Sequence, residues 1–182
     1  LMASASNLEI ADGLTIDAST TLTISDTGGG KTIRLVTGAT TGGIAGNIVT
    51  EETGAFNVDL TALTGQTITL SGDISGAGTL NTNDDGTVIL SGTKTFTGTT
   101  GVNSTGTLII NGDSSAATGA ITVTNNTTIG GTGTVGGAVT VQGNNGGVAP
   151  GSNGIGTLTL LGGVTYDAGT DGDLDIELDG TN

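Results

Sequence analysis

Three copies of one short phrase lie at a fixed interval in the middle of this chain: Thr67-Ile-Thr-Leu-Ser-Gly72, Thr87-Val-Ile-Leu-Ser-Gly92 and Thr107-Leu-Ile-Ile-Asn-Gly112, each starting 20 residues after the one before. The second and fourth residues are aliphatic in every copy (Ile68 and Leu70, Val88 and Leu90, Leu108 and Ile110), and a glycine closes each phrase. Alternation of period two is that of a strand with one buried face. A repeat this short has no room for a helix, a strand and their loops, but it matches one circuit of a solenoid in which each strand pairs with its equivalent in the next coil. The spacing therefore predicts an all-β parallel β-helix of about 20 residues per coil, with Val88 stacked between Ile68 and Leu108.

The same aliphatic-x-aliphatic pairs run through the rest of the chain, at Leu8-x-Ile10, Leu14-x-Ile16, Leu22-x-Ile24, Ile33-x-Leu35 and Val58-x-Leu60. Their spacing predicts three short strands per coil and about nine coils, so a single rod over 1–182 about 40 Å long at ~4.8 Å per step. Gly, Asn and Asp between the pairs mark corners, where positive φ is expected. Register is tightest over 67–126, and Asn83 and Asn103 fall at equivalent positions, set to pair their amides along the rod. The segment 38–53 keeps the pattern poorly and reads as a loop extruded from the stack, and 167–182 reads as an acidic terminal strand. The absence of a strict six-residue beat favours a right-handed coil.

Composition narrows function. The chain carries 36 glycines, 38 threonines, two phenylalanines and one tyrosine, too few aromatics for a thick core. Its β-branched runs argue against disorder. There is no cysteine and no histidine, which removes disulfides, thiolate metal sites and the usual serine or cysteine triads. A net charge of −14, from 17 acidic residues against Lys31, Arg34 and Lys94, repels nucleic acid and anionic membranes. No stretch is long and apolar enough to cross a bilayer as a helix.

Individual motifs mostly carry bland readings. Asp171, Asp173 and Asp175 alternate with Leu174 and Ile176, and continue to Glu177 and Asp179. They are the only calcium candidates, but alternate residues on a strand stand ~6.6 Å apart in a row, whereas calcium needs six to eight converging oxygens. Gly131-Thr-Gly-Thr-Val-Gly136 spells a dinucleotide fingerprint without the helix that such a site requires. Glu51-Glu52 and Asp84-Asp85 are sequence neighbours, so each pair points to opposite faces of a strand and makes no glycosidase dyad. Thr-x-Thr pairs such as Thr67-x-Thr69 suggest an ice-binding array, but counting in twenties places Ile89, Ile109 and Ile129 after Thr69. The sequons at Asn103 and Asn126 carry little information in so Asn- and Thr-rich a chain. No catalytic residue and no cofactor is expected.

Thr87 to Gly112, TVILSGTKTFTGTTGVNSTGTLIING, resembles the autotransporter-associated β-strand repeat, with Phe96 where that repeat commonly has Tyr and Lys94 in place of its usual Asn. Val148 to Leu160 is similar to the V-x-P-G-x-S-x-G-T-L phrase that often follows such repeats. The resemblance implies a right-handed β-helical passenger region of an exported bacterial surface protein, structural or adhesive and not enzymatic. Its partner would be a host-surface, glycan or neighbouring-cell receptor. The family's outer-membrane barrel needs more residues than follow Gly180, so the expectation is a passenger segment, or a fibre subunit that stacks end to end. A glycan-binding or glycan-cleaving module is the remaining alternative.

Overall fold

The computed structural model describes residues 7–10, 15–24, 31–35, 40–50, 57–83, 85–169 and 171–176. Among them there is no helix, and every pairing of one strand with another is parallel; the one antiparallel contact is the isolated bridge of Gly131 with Gly151. The chain is a β-solenoid whose regular part makes about five turns, with stacked strands about 21 residues apart. One face is an eight-stranded sheet in the order Asn7–Ile10, Lys31–Leu35, Asn57–Thr61, Thr79–Asn83, Thr100–Val102, Ile121–Val123, Val139–Val141 and Val164–Tyr166. The second face, also of eight strands, holds Thr15–Ile16, Thr41–Ile44, Thr67–Leu70, Thr87–Leu90, Thr107–Ile110, Thr128–Gly131, Gly147–Pro150 and Asp173–Leu174. The third is split into Thr21–Ile24, Asn47–Thr50 and Ile74–Gly76 below, and Asp113–Ser114, Thr134–Val135 and Thr159–Leu160 above. Eight strands at ~4.8 Å give a stack about 34 Å deep.

The phrase that defined the repeat is the second face. Val88 pairs with Ile68 on one side and Leu108 on the other, and Leu90 with Leu70 and Ile110. All six are essentially without solvent exposure. At about 1.5–3 kcal/mol for each fully buried aliphatic side chain, these columns are the main stabilising term in each coil. Each coil can bury them only against its neighbours.

The coil is not uniformly 20 residues. Thr67, Thr87 and Thr107 keep that step, but Thr41 pairs with Thr67 and Leu22 with Ile48, steps of 26. Wider first coils leave eight strands in each long sheet where about nine coils were expected. The segment 38–53, expected to loop out, instead contributes Thr41–Ile44 to the second face and Asn47–Thr50 to the third. Its glycines hid the pattern: Gly43 takes an outward position where a Cβ would strike Thr69 O, while Ile44 and Ile48 point inward, fully buried.

The corners have two different solutions. Between the first and second faces the turn uses left-handed residues in five of the coils: Gly65, Ser104, Asn126, Asn145 and Gly169, with φ of 78°, 66°, 57°, 56° and 84°. This is the positive-φ corner the composition suggested. Between the second and third faces, Gly72, Gly92 and Gly112 have no such φ; there the constraint is contact. A Cβ on Gly92 would lie 2.5 Å from Gly72 O and 2.8 Å from its carbonyl carbon, so successive coils touch backbone to backbone.

Candidate functional surface

The third face carries an irregularity in the core. Between Ile74–Gly76 and Asp113–Ser114 its strand shrinks to a single bridge, Ile74 to Lys94, and Lys94 N donates to Asp113 O at 2.8 Å. The inward column therefore runs Ile48, Ile74, Lys94, Ser114, Val135. Lys94 has no solvent exposure, and its ammonium donates to Gly72 O at 2.8 Å. A local exchange of partners frees that carbonyl. At the equivalent corner two coils later Thr134 N bonds Gly112 O, but Thr93 N bonds the Asp73 carboxylate at 2.9 Å instead. Burial pushes the Lys94 ammonium down from its ordinary 10.5 to about 8, against the opposing pull of the Asp73 charge. Sequence reasoning recorded Lys94 only as a departure from the repeat. Two signals place it inward: it stands 20 residues after Ile74, and it alternates with Phe96, which is buried.

Ser114, next in the column, is buried, and its hydroxyl has no hydrogen-bond partner in the protein. It borders a cavity of about 10 Å³ lined also by Leu90, Phe96, Thr100, Leu108 and Val135. Such a space is the size of about one water.

The outer surface is polar and laddered. Asn103 Nδ2 donates to Asn83 Oδ1 at 3.4 Å, the stacking expected of this pair. Gly101, between Asn81 and Asn103 on that face, leaves room for both amides. Side-chain oxygens also take the place of backbone carbonyls from coil to coil. Asn47 Oδ1 accepts from Asp73 N, Asn111 Oδ1 from Thr132 N and Asn125 Oδ1 from Asn144 N, at 2.7–3.1 Å. Thr105 Oγ1 and Thr64 Oγ1 both donate to the Asp85 carboxylate.

On the second face the outward threonines Thr41, Thr67, Thr87, Thr107 and Thr128 form one column in register. Beside it run Gly43, Thr69, Ile89, Ile109 and Gly130. Ile129 is not in this outward column. A step of 21 between Thr107 and Thr128 turns it inward, and it is fully buried. Only one threonine column persists, so the paired array of an ice-binding face does not form.

The calcium candidates sit on the last coil. Asp173 opens the final strand of the second face, and Asp171, Asp173 and Asp175 are all exposed. Their backbones are engaged: Asp171 O accepts from Asn145 N, Asp173 N donates to Gly146 O, and Asp175 N donates to Val148 O. Among the described residues no three acidic or other metal-ligating side chains gather about a point. Glu51, Glu52, Asp84, Glu177 and Asp179 lie outside the described residues. Tyr166 O–H donates to Asp173 O at 3.0 Å, and burial raises its phenol pKa, with Asp173 adding to the effect. The G-x-G-x-x-G letters at 131–136 fall on strand and corner, with Gly131 at φ 120°. No protein-family model, no curated protein and no solved structure matches the chain.

Proposed function

We propose that this chain is a load-bearing and presenting segment, a right-handed β-helical stretch of passenger from an exported bacterial surface protein of autotransporter type. The observation that carries the reading is the coincidence of the in-register columns Ile68–Val88–Leu108 and Leu70–Leu90–Ile110 with the segment that resembles the autotransporter-associated repeat. A stack held by hydrogen bonds along its axis is stiff. It is built coil on coil, which suits a chain that crosses a membrane unfolded and folds as it emerges. Its outward Thr, Asn and Asp keep it wet, and the polar corner Ser104-Thr105 and Asn125-Asn126 offers contact groups to a receptor or glycan. No catalytic role is assigned to any residue.

The test is display. The segment is placed between a signal peptide and an outer-membrane translocator, with an epitope inserted at the Asn125-Asn126 corner. Antibody labelling of intact, unpermeabilised cells is the expected result. Labelling only after lysis, with the chain folded inside, refutes the reading.

A further inference from the structure

The corner between the second and third faces opens into a loop. Two residues separate Gly131 from Thr134, but eight separate Pro150 from Thr159 one coil later. The base of the loop is fastened: Gly151 and Gly131 exchange backbone bonds at 2.7 and 2.8 Å, and Thr159 N donates to Gly133 O at 3.0 Å. From there the loop lies back along the side of the rod, where Ser152 Oγ accepts from Asn111 Nδ2 at 3.2 Å and Gly156 stands against Thr132. Asn153 and Gly154 at its tip are exposed, with φ of 71° and 142°, and neither makes a hydrogen bond with any described residue. A Cβ on Gly154 would meet nothing within 4 Å.

We infer that Asn153–Gly154 is a site of covalent self-modification, where the folded chain turns an asparagine into an aspartyl or isoaspartyl residue with water as the only reagent. Asparagine is the thermally labile amide, and a following glycine speeds its closure to a five-membered imide because no side chain shields the attacking nitrogen. The Gly154 nitrogen gives its proton to solvent base and attacks Cγ of Asn153; the N–Cγ bond forms, the Cγ–Nδ2 bond breaks and ammonia leaves. Water then adds to either imide carbonyl. Opening at Cγ leaves an ordinary aspartyl side chain, and opening at the main-chain carbonyl routes the backbone through Cγ. Nothing is oxidised or reduced. The chain has three Asn–Gly pairs, and their surroundings separate them. At Asn111 both ends of the amide are held, Oδ1 by Thr132 N and Oγ1 and Nδ2 by Ser152 Oγ, and the Gly112 nitrogen is spent on Leu90 O. At Asn145 the Nδ2 donates to Asn126 Oδ1, the backbone N donates to Asp171 O, and Gly146 is buried. Ring closure at those two must first break such bonds, and a group that reacts only from an opened state is slowed by the cost of opening. At Asn153 nothing has to break. The product adds one negative charge to the loop, and in its isoaspartyl form one more backbone atom, a one-way mark on the side of the rod.

The experiment is a time course of the purified, folded chain in mildly alkaline buffer, read by peptide mass mapping at the three asparagines, with a parallel course in urea. Conversion at Asn153 at least about tenfold faster than at Asn111 or Asn145 is the expected result, with the three rates converging in urea. Hydroxylamine cleaves the imide, so on the folded chain it is expected to give one cut, between Asn153 and Gly154. Asn153→Gln, whose longer side chain would need a six-membered ring, is expected to stay intact there and to leave the other two rates unchanged. Comparable rates at the three sites in the folded chain overturn the inference. So does an Asn153 that reacts in urea but not in the folded chain, or a preference of the same size in urea, which would owe nothing to the fold.

Discussion

Replacing Lys94 by Met tests the interior most directly, because Met has a similar unbranched length and no charge. The depression from 10.5 to about 8 corresponds to about 3 kcal/mol at 1.36 kcal/mol per pH unit, an upper figure because the rod is thin and water lies close outside the corner. The sign follows from where the proton sits. Below pH 8 both folded and unfolded chains hold the proton, and the folded state carries the whole cost of a buried ammonium. Between about 8 and 10.5 the folded chain has released it while the unfolded chain has not, so stability rises with pH. Above 10.5 the cost is gone. Met also leaves Gly72 O without the lysine donor, at about 1 kcal/mol. The variant is then more stable than the parent by about 2 kcal/mol at pH 7, and slightly less stable near pH 11, with the two curves crossing between. Urea unfolding of both proteins, followed by circular dichroism from pH 6.5 to 11, reads the difference. Tyr166 titrates in both chains and cancels. A difference that is flat with pH would show that the ammonium keeps its ordinary pKa, and the argument from burial would fail.

Three further outcomes follow from the packing. Ser114→Ala removes a buried hydroxyl without a protein partner and raises the unfolding free energy by about 1 kcal/mol or more, seen as a higher urea midpoint; a loss of stability would mean that a bound water holds the site together. Gly92→Ala forces a methyl against Gly72 O and costs about 1–3 kcal/mol, seen as an earlier thermal transition, whereas Gly65→Ala, with nothing within 4 Å of its Cβ, costs only what a left-handed residue imposes, about 1 kcal/mol. Leu108→Ala empties the middle of a column and costs about 2–5 kcal/mol, with amide exchange rising first in the strands paired to it, Thr87–Leu90 and Thr128–Gly131.

Period and alternation carried most of the fold. Where Thr-x-aliphatic phrases repeat, as from Thr67 to Gly112, the register between coils could be counted from the sequence alone. It was lost wherever glycine took a strand position, as at Gly42-Gly43 and Gly130, because a residue without a side chain gives no alternation to read. It also slipped by one residue at Ile129, where a single added residue changes which face a side chain occupies. Glycine's two uses could not be told apart either: Gly65 and Gly92 look alike as letters, but one serves a backbone angle and the other a contact between neighbouring coils. Lys94 was visible as a departure from the repeat but its burial was not, since an alternation rule built on aliphatic residues passes over a charged one.

The tight glycine corner has a consequence for how such a rod can change. Where Gly72, Gly92 and Gly112 bring carbonyls into contact, the rise from one coil to the next is set by atomic radii, and neither a side chain nor an extra residue can enter. The opposite edge, turned by Ser104, Asn126 and Asn145, differs in length from coil to coil and is closed by exchangeable polar groups. The seam is therefore invariable only along those glycines: beyond Gly112 the same corner lengthens from the two residues between Gly131 and Thr134 to the eight between Pro150 and Thr159, so insertions, drift and grafted peptides will gather there and along the polar edge.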